Sequence, residues 1–143
     1  MKNLLIASIL VCFSGFSYSQ GWSLIWEDDF SGTTLDQTKW THALGTGSQN
    51  GLWGWGNGEL QFYQAGNAEV SNGTLKIIAK EEPNGIVDSW GNTMYYSSSR
   101  IKTENKFEVR YGKIEARIKT VNGEGFWPAF WMLPSGGSWP CDG

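Results

Sequence analysis

The stretch Trp53–Tyr63 combines aromatic, amide and carboxylate side chains with closely spaced glycines. Glycines between bulky rings keep the backbone thin and let the rings stand away from it. Asn57 can donate and accept hydrogen bonds at once, and Glu59 can accept two, so both suit the vicinal hydroxyl groups of a sugar. Taken alone, the stretch is explained equally well as a glycine-rich turn with core aromatic residues.

Arg100 is the second residue with suitable chemistry, and it follows the serine-rich stretch 97–99. Its guanidinium presents five donors in a fixed plane, which suits hydroxyl oxygens and also orients carboxylates. The alternative role is that of a surface salt-bridge partner.

Three tryptophans near the end of the sequence, Trp127, Trp131 and Trp139, are candidate platforms for a sugar ring. A flat indole can cover the apolar C–H face of a pyranose. If a sugar covers roughly a quarter of an indole surface of about 150–250 Å², the contact is worth on the order of 1–1.5 kcal/mol. In a regular strand Trp127 and Trp131 share one face, although Pro128 should interrupt the ladder and create a bulge or an edge.

The elements that would position these side chains read as strands, with almost no helical periodicity. Asn72-Gly73 predicts a hairpin between 68–70 and 74–80. Residues 113–119 alternate strictly, with the isoleucines predicted to face inward. Many short strands between glycine-rich turns indicate an all-β, antiparallel β-sandwich. Further strands are predicted at 22–27, 95–98, 100–104, 107–111 and 129–133.

The composition and the N-terminal residues limit the classes of protein to which this chain can belong. The formal net charge of −3 argues against a nucleic-acid partner. Residues 1–19 resemble a signal peptide, with Lys2, an apolar run too short to span a membrane, and small residues before Gln20. The alternatives are an uncleaved anchor, a buried strand, or a lipoprotein signal at Cys12. We expect a secreted or periplasmic protein without membrane attachment after cleavage, in which Cys141 is the one remaining cysteine.

Four motifs together resemble the laminarinase-type β-glucanases of glycoside hydrolase family 16. Trp53–Tyr63 follows W-G-x-x-N-x-E-x-Q-x-Y, 95–103 is similar to Y-x-S-[AG]-R-[IL]-x-[TS], and 111–117 matches Y-G-[RK]-[IFV]-E-[AV]-R. The segment Gly125–Pro134 resembles the approach to the family's active-site strand. The resemblance implies a concanavalin A-like jelly roll, of which residues 20–143 are the N-terminal and incomplete part. We expect this part alone to be unstable or to aggregate.

The resemblance also implies an endo-acting β-glucan hydrolase of retaining mechanism, monomeric when full length, acting on β-1,3- or β-1,3-1,4-glucan. Its two catalytic carboxyl groups lie on a strand of the form E-[IL]-D-[IVF]-x-E, which does not occur in residues 1–143, so no catalytic residue is assigned. Asn57 is expected on the glycone side of the cleft. One structural calcium is expected, with Glu27 and the Gly73 carbonyl as candidate ligands. The alternatives are a non-catalytic carbohydrate-binding or lectin-like sandwich, and a scaffold without a ligand.

Overall fold

The computed structural model describes residues 21–135, so the predicted signal peptide, Trp139 and Cys141 lie outside the described residues. The described part is built from strands and three short 3-10 turns, which confirms the all-β prediction. None of its helical segments is long and apolar enough to cross a membrane. The strands are β1 (Thr41–Ala43), β2 (Gln61–Tyr63), β3 (Ala68–Ser71), β4 (Thr74–Ile77), β5 (Lys80–Val87), β6 (Thr93–Ser98) and β7 (Arg100–Lys102).

The strands pair as β1-β7, β2-β6-β5 and β3-β4. All described pairings are antiparallel except that of β2 with β6, which is parallel. Gly45 and Tyr63 exchange backbone hydrogen bonds of 2.8 and 3.0 Å, which brings the end of β1 beside β2. Tyr63 at the end of β2 pairs with Ser98 at the end of β6, and only Ser99 separates β6 from β7, so the end of β2 lies close to the start of β7.

The predicted hairpin is confirmed. β3 and β4 pair in the register Ala68↔Ile77 and Val70↔Leu75. Asn72 and Gly73 connect them with φ values of 53° and 66°, as a type I′ turn requires. The second strand ends at Ile77 rather than at Lys80, where β5 begins.

Four predicted strands are absent from the described residues: 22–27, 107–111, 113–119 and 129–133 have no ladder partner. Alternation of apolar residues marks a strand only where a second backbone accepts its hydrogen bonds. Ile114 and Ile118 are accordingly 44% and 54% exposed rather than facing inward. Conversely, β5 forms despite the Pro83-Asn84-Gly85 turn signal, because a bulge between Glu81 and Ile86 absorbs it.

The interior of the described part is largely polar. Asn67 and Ser97 are almost completely buried. Asn67 Nδ2 donates to the Ile78 carbonyl at 2.8 Å and to Ser97 Oγ at 3.0 Å, and Ser97 donates to Glu82 Oε1 at 2.5 Å. A satisfied buried network of this kind defines a unique arrangement, because any shift leaves polar atoms unpaired. It ties the β5–β6 pair to the turn before β3.

Asp88 ties the β5–β6 hairpin to the loop after β1. Its carboxylate accepts hydrogen bonds from Thr46 Oγ1 at 2.8 Å, Trp90 N–H at 2.9 Å and Asn92 N–H at 2.8 Å. Burial acts to raise the pKa of Asp88, but the hydrogen bonds from Asn92 and Thr46 outweigh it and hold the pKa below its usual range. The loop that precedes Trp53 is therefore fixed at Thr46.

Candidate active-site cleft

The loop Trp53–Gly56 reverses the chain within a few residues, and glycine is essential to it. Gly54 and Trp55 both have positive φ, 51° and 54°. A Cβ on Gly54 would lie 2.7 Å from the backbone nitrogen of Glu59, because the chain crosses itself there. The Glu59 N–H donates to the Gly54 carbonyl at 3.1 Å. This crossing brings Glu59 close to Trp55. The positive φ of Trp55 is a strained conformation, and it determines the direction of the indole ring.

Arg100, the first residue of β7, lies between two indole rings. Its guanidinium carbon is 4.6 Å from the ring centroid of Trp55 and 5.1 Å from that of Trp131. Arg100 Nη1 is also 3.7 Å from Glu59 Oε1, and both side chains are largely buried. Cation–π attraction and the ion pair together hold the guanidinium. The structure thus brings together Glu59, Arg100 and Trp131, three of the predicted substrate-binding residues.

Two polar side chains of β2 complete this arrangement. Gln61 Nε2 donates to Glu59 Oε2 at 3.1 Å and to the Tyr63 hydroxyl at 2.7 Å. The Tyr63 ring lies 6.3 Å from that of Trp55, centroid to centroid. Burial, and then the hydrogen bond and negative charge of Glu59, raise the pKa of Tyr63 to about 12. We call the group the Arg100 cluster: Trp55, Glu59, Gln61, Tyr63, Arg100 and Trp131.

We expect alkaline pH to destabilise the protein through Tyr63. Tyrosine in the unfolded chain ionises near pH 10, whereas the pKa of Tyr63 in the folded protein is about 12. The contribution of neutral Tyr63 to the free energy of unfolding is therefore complete below pH 10 and is lost as the pH rises to 12. Solvent screening of a partly buried phenol leaves on the order of 1–2 kcal/mol. Denaturant titrations across this range should show that Tyr63→Phe flattens the pH dependence. Tyr95→Phe, at a 57% exposed tyrosine, should leave the slope unchanged, and equal slopes in all three proteins would contradict this assignment.

The other residues predicted to contact a sugar are not part of the Arg100 cluster. Asn57 is exposed on the same loop as Trp55, and its backbone N–H donates to the Gly54 carbonyl at 3.1 Å. Trp127 is 91% exposed. Their roles stay predictions, as does that of Trp139. Trp55, Gln61 and Tyr63 are not among the predicted site residues, although the motif 53–63 contains all three.

The described residues do not by themselves make a calcium site. Calcium takes six to eight oxygen ligands. The exposed Glu27 and the Gly73 turn offer a carboxylate and carbonyls, but the Glu27 carbonyl already accepts a hydrogen bond from Lys39 Nζ at 2.7 Å. Residues 21–135 hold no group of three or more His, Cys, Asp or Glu side chains arranged for a metal. The calcium ion stays a prediction.

A cavity of about 510 Å³ lies between β1 and β3, lined in part by Leu35, His42 and Val70. Within the described chain, the buried Nδ1 of His42 has no hydrogen-bond partner. His42 pairs with Ile101, and its neighbour Ala43 pairs with Arg100. Because successive strand residues point to opposite faces, the cavity lies on the other face of the sheet from the Arg100 cluster.

The chain is similar to known proteins in sequence and in fold. The family model described as Glycosyl hydrolases family 16 matches residues 56–142. The chain is 40% identical over 130 residues to Glucan endo-1,3-beta-glucosidase A1 of Niallia circulans, covering 86% of this chain and 19% of that protein. It is 38% identical over 130 residues to the Clotting factor G alpha subunit of Tachypleus tridentatus, covering 89% and 17%.

A solved laminarinase catalytic domain from Thermotoga maritima MSB8 matches with a TM-score of 0.59 and 43% identity, covering 64% of this chain and 35% of that one. The chain therefore spans about a third or less of the length of each of these three relatives. The likeness to this structure supports the antiparallel β-sandwich prediction, and the matched residues include the whole Arg100 cluster except Trp55. The chain belongs to glycosyl hydrolases family 16.

Proposed function

We propose that this chain supplies the glycan-binding wall of an exported endo-β-1,3-glucan hydrolase, and that the Arg100 cluster is the centre of that wall. The observation that carries the proposal is the guanidinium held between the indoles of Trp55 and Trp131 and beside Glu59. Relatives named as an endo-1,3-beta-glucosidase and a laminarinase support the choice of substrate.

The cluster suits a neutral polymer. Arg100 and Glu59 have opposite charges, so the cluster places little net charge in the cleft. Trp131 is half exposed and offers part of its ring to the C–H face of a pyranose. The exposed Asn57 on the neighbouring loop can donate to one hydroxyl group and accept from the next.

Hydrolysis belongs, in this proposal, to residues outside 1–143. Retaining hydrolysis needs two carboxyl groups about 5–5.5 Å apart, one as nucleophile and one as acid and base. The family's E-x-D-x-x-E pattern does not occur in this sequence. The described residues bind and orient the glycan, and purified residues 20–143 should not release reducing sugar from laminarin.

The second candidate is a glucan-binding protein without hydrolase activity. A relative named as a clotting factor subunit supports it, since similarity over these residues also occurs in a protein not named as a hydrolase. The residues encoded after Gly143 separate the two candidates. An E-x-D-x-x-E strand there means a hydrolase, and its loss means a binding protein.

Trp131→Ala tests the binding wall against a matched control. Trp131 and Trp90 are 50% and 52% exposed, but Trp90 lies in the β5–β6 turn outside the cluster. We expect Trp131→Ala to weaken binding of a soluble laminari-oligosaccharide about 5- to 10-fold, which corresponds to about 1–1.5 kcal/mol of stacking. Trp90→Ala should bind as the unchanged protein does. Equal affinities for the two variants by calorimetry would contradict the proposed wall.

A further inference from the structure

We propose that Glu59, Gln61 and Tyr63 are positioning residues, which orient the Arg100 guanidinium for the glycan instead of contacting the glycan themselves. The inference rests on the proposed function and deepens it. It also changes the role expected for Glu59, which the sequence suggested as a direct acceptor for sugar hydroxyls.

The three side chains form a hydrogen-bonded row. Gln61 and Tyr63 lie on one face of β2, because alternate residues of a strand point the same way, and Glu59 lies two residues before the strand begins. The Gln61 amide has two N–H donors. They are directed to its neighbours on either side, Glu59 Oε2 at 3.1 Å and the Tyr63 hydroxyl at 2.7 Å.

Both carboxylate oxygens of Glu59 face partners within the Arg100 cluster. Oε2 accepts from Gln61, and Oε1 faces Arg100 Nη1 at 3.7 Å. The phenol of Tyr63 stays neutral over the ordinary pH range, because burial raises its pKa to about 12, so this row of contacts persists. The Glu59 side chain is only 18% exposed, so a ligand can reach little of the carboxylate.

Arg100 needs this partner because stacking alone does not fix it. Contact with the Trp55 and Trp131 rings sets the distance of the guanidinium from each indole, but a flat cation can still turn within its own plane. The carboxylate at one edge removes that freedom. At 3.7 Å the ion pair is longer than a hydrogen bond, so it leaves the N–H donors of Arg100 Nη1 available to hydroxyl oxygens.

The test measures orientation and binding separately. Rotation of the Arg100 guanidinium about its Nε–Cζ bond is followed by NMR of the ¹⁵N-labelled protein, and affinity is measured with a laminari-oligosaccharide. We expect Glu59→Gln and Tyr63→Phe to speed the rotation and to weaken binding about 3- to 10-fold. Tyr95→Phe is the control, because Tyr95 is an exposed tyrosine of β6 outside the cluster, and it should change neither.

Each remaining outcome decides a different claim. Unchanged Arg100 rotation in Glu59→Gln would overturn the positioning role, and weaker binding with unchanged rotation would make Glu59 a direct ligand. If the unchanged protein binds no oligosaccharide, the proposed function fails, while the rotation measurement still tests the positioning role. Unfolding curves of each variant identify the temperature at which all of them are folded.

Discussion

Gly54→Ala should unfold the loop that carries the site and destabilise the protein by about 3 kcal/mol or more. Gly54 has a φ of 51°, and alanine pays roughly 1–2 kcal/mol in this region. Its Cβ would also lie 2.7 Å from the Glu59 nitrogen and 3.0 Å from the Glu59 carbonyl oxygen. These are backbone atoms, so relief requires that the crossing opens. Equilibrium denaturation with urea measures the loss.

Gly51→Ala is the matched control for this prediction. Gly51 also has a positive φ, 75°, but a Cβ there would meet no atom within 4 Å. It should therefore show only the conformational cost, about 1–2 kcal/mol. If both variants lose the same stability, the backbone crossing at Glu59 does not contribute, and the loop is held by its φ angles alone.

Arg100→Ala should weaken glucan binding about 10- to 100-fold, the largest effect that we expect on function. Hydrogen bonds from a charged donor are worth about 1.5–3 kcal/mol, and their loss leaves the Glu59 carboxylate without its cation. Trp131 also loses the guanidinium against which it stacks. Calorimetry with a laminari-oligosaccharide measures the affinity.

Arg110→Ala is the control, because Arg110 also lies over an aromatic ring, that of Tyr111 at 5.4 Å, but outside the Arg100 cluster. It should bind as the unchanged protein does. Wild-type affinity in Arg100→Ala, with a folded protein, would remove the cluster from the glycan-binding wall.

The sequence predicts local structure well where the signal is itself local. Asn72-Gly73 defines the β3–β4 turn because few residues tolerate consecutive positive φ angles, and the hairpin formed in the predicted place. Residues 113–119 have an equally clear alternating pattern but no ladder in the described chain. A strand depends on a second backbone that its own sequence cannot supply.

Part of the site was also predictable, for a physical reason. Glu59 and Arg100 have types that suit sugar hydroxyl groups, and the structure places them 3.7 Å apart. Trp55 was missed because its place over Arg100 depends on a strained φ of 54°. Nothing in its residue type signals that conformation.

The polar interior could not be predicted from periodicity. Asn67 and Ser97 belong to residue types that are mostly exposed, and their burial depends on mutual hydrogen bonds. Such bonds join residues distant in sequence. The spacing of apolar residues along the sequence carries no information about these hydrogen bonds.

One cation shared by two rings couples Trp55, Arg100 and Trp131 energetically. If either indole is removed, the guanidinium can still stack on the other one. The loss of unfolding free energy in the double variant should therefore differ from the sum of the losses in the two single variants. A substitution at Trp55 is therefore expected to change how much of the Trp131 ring the guanidinium covers, although Trp131 itself is unchanged.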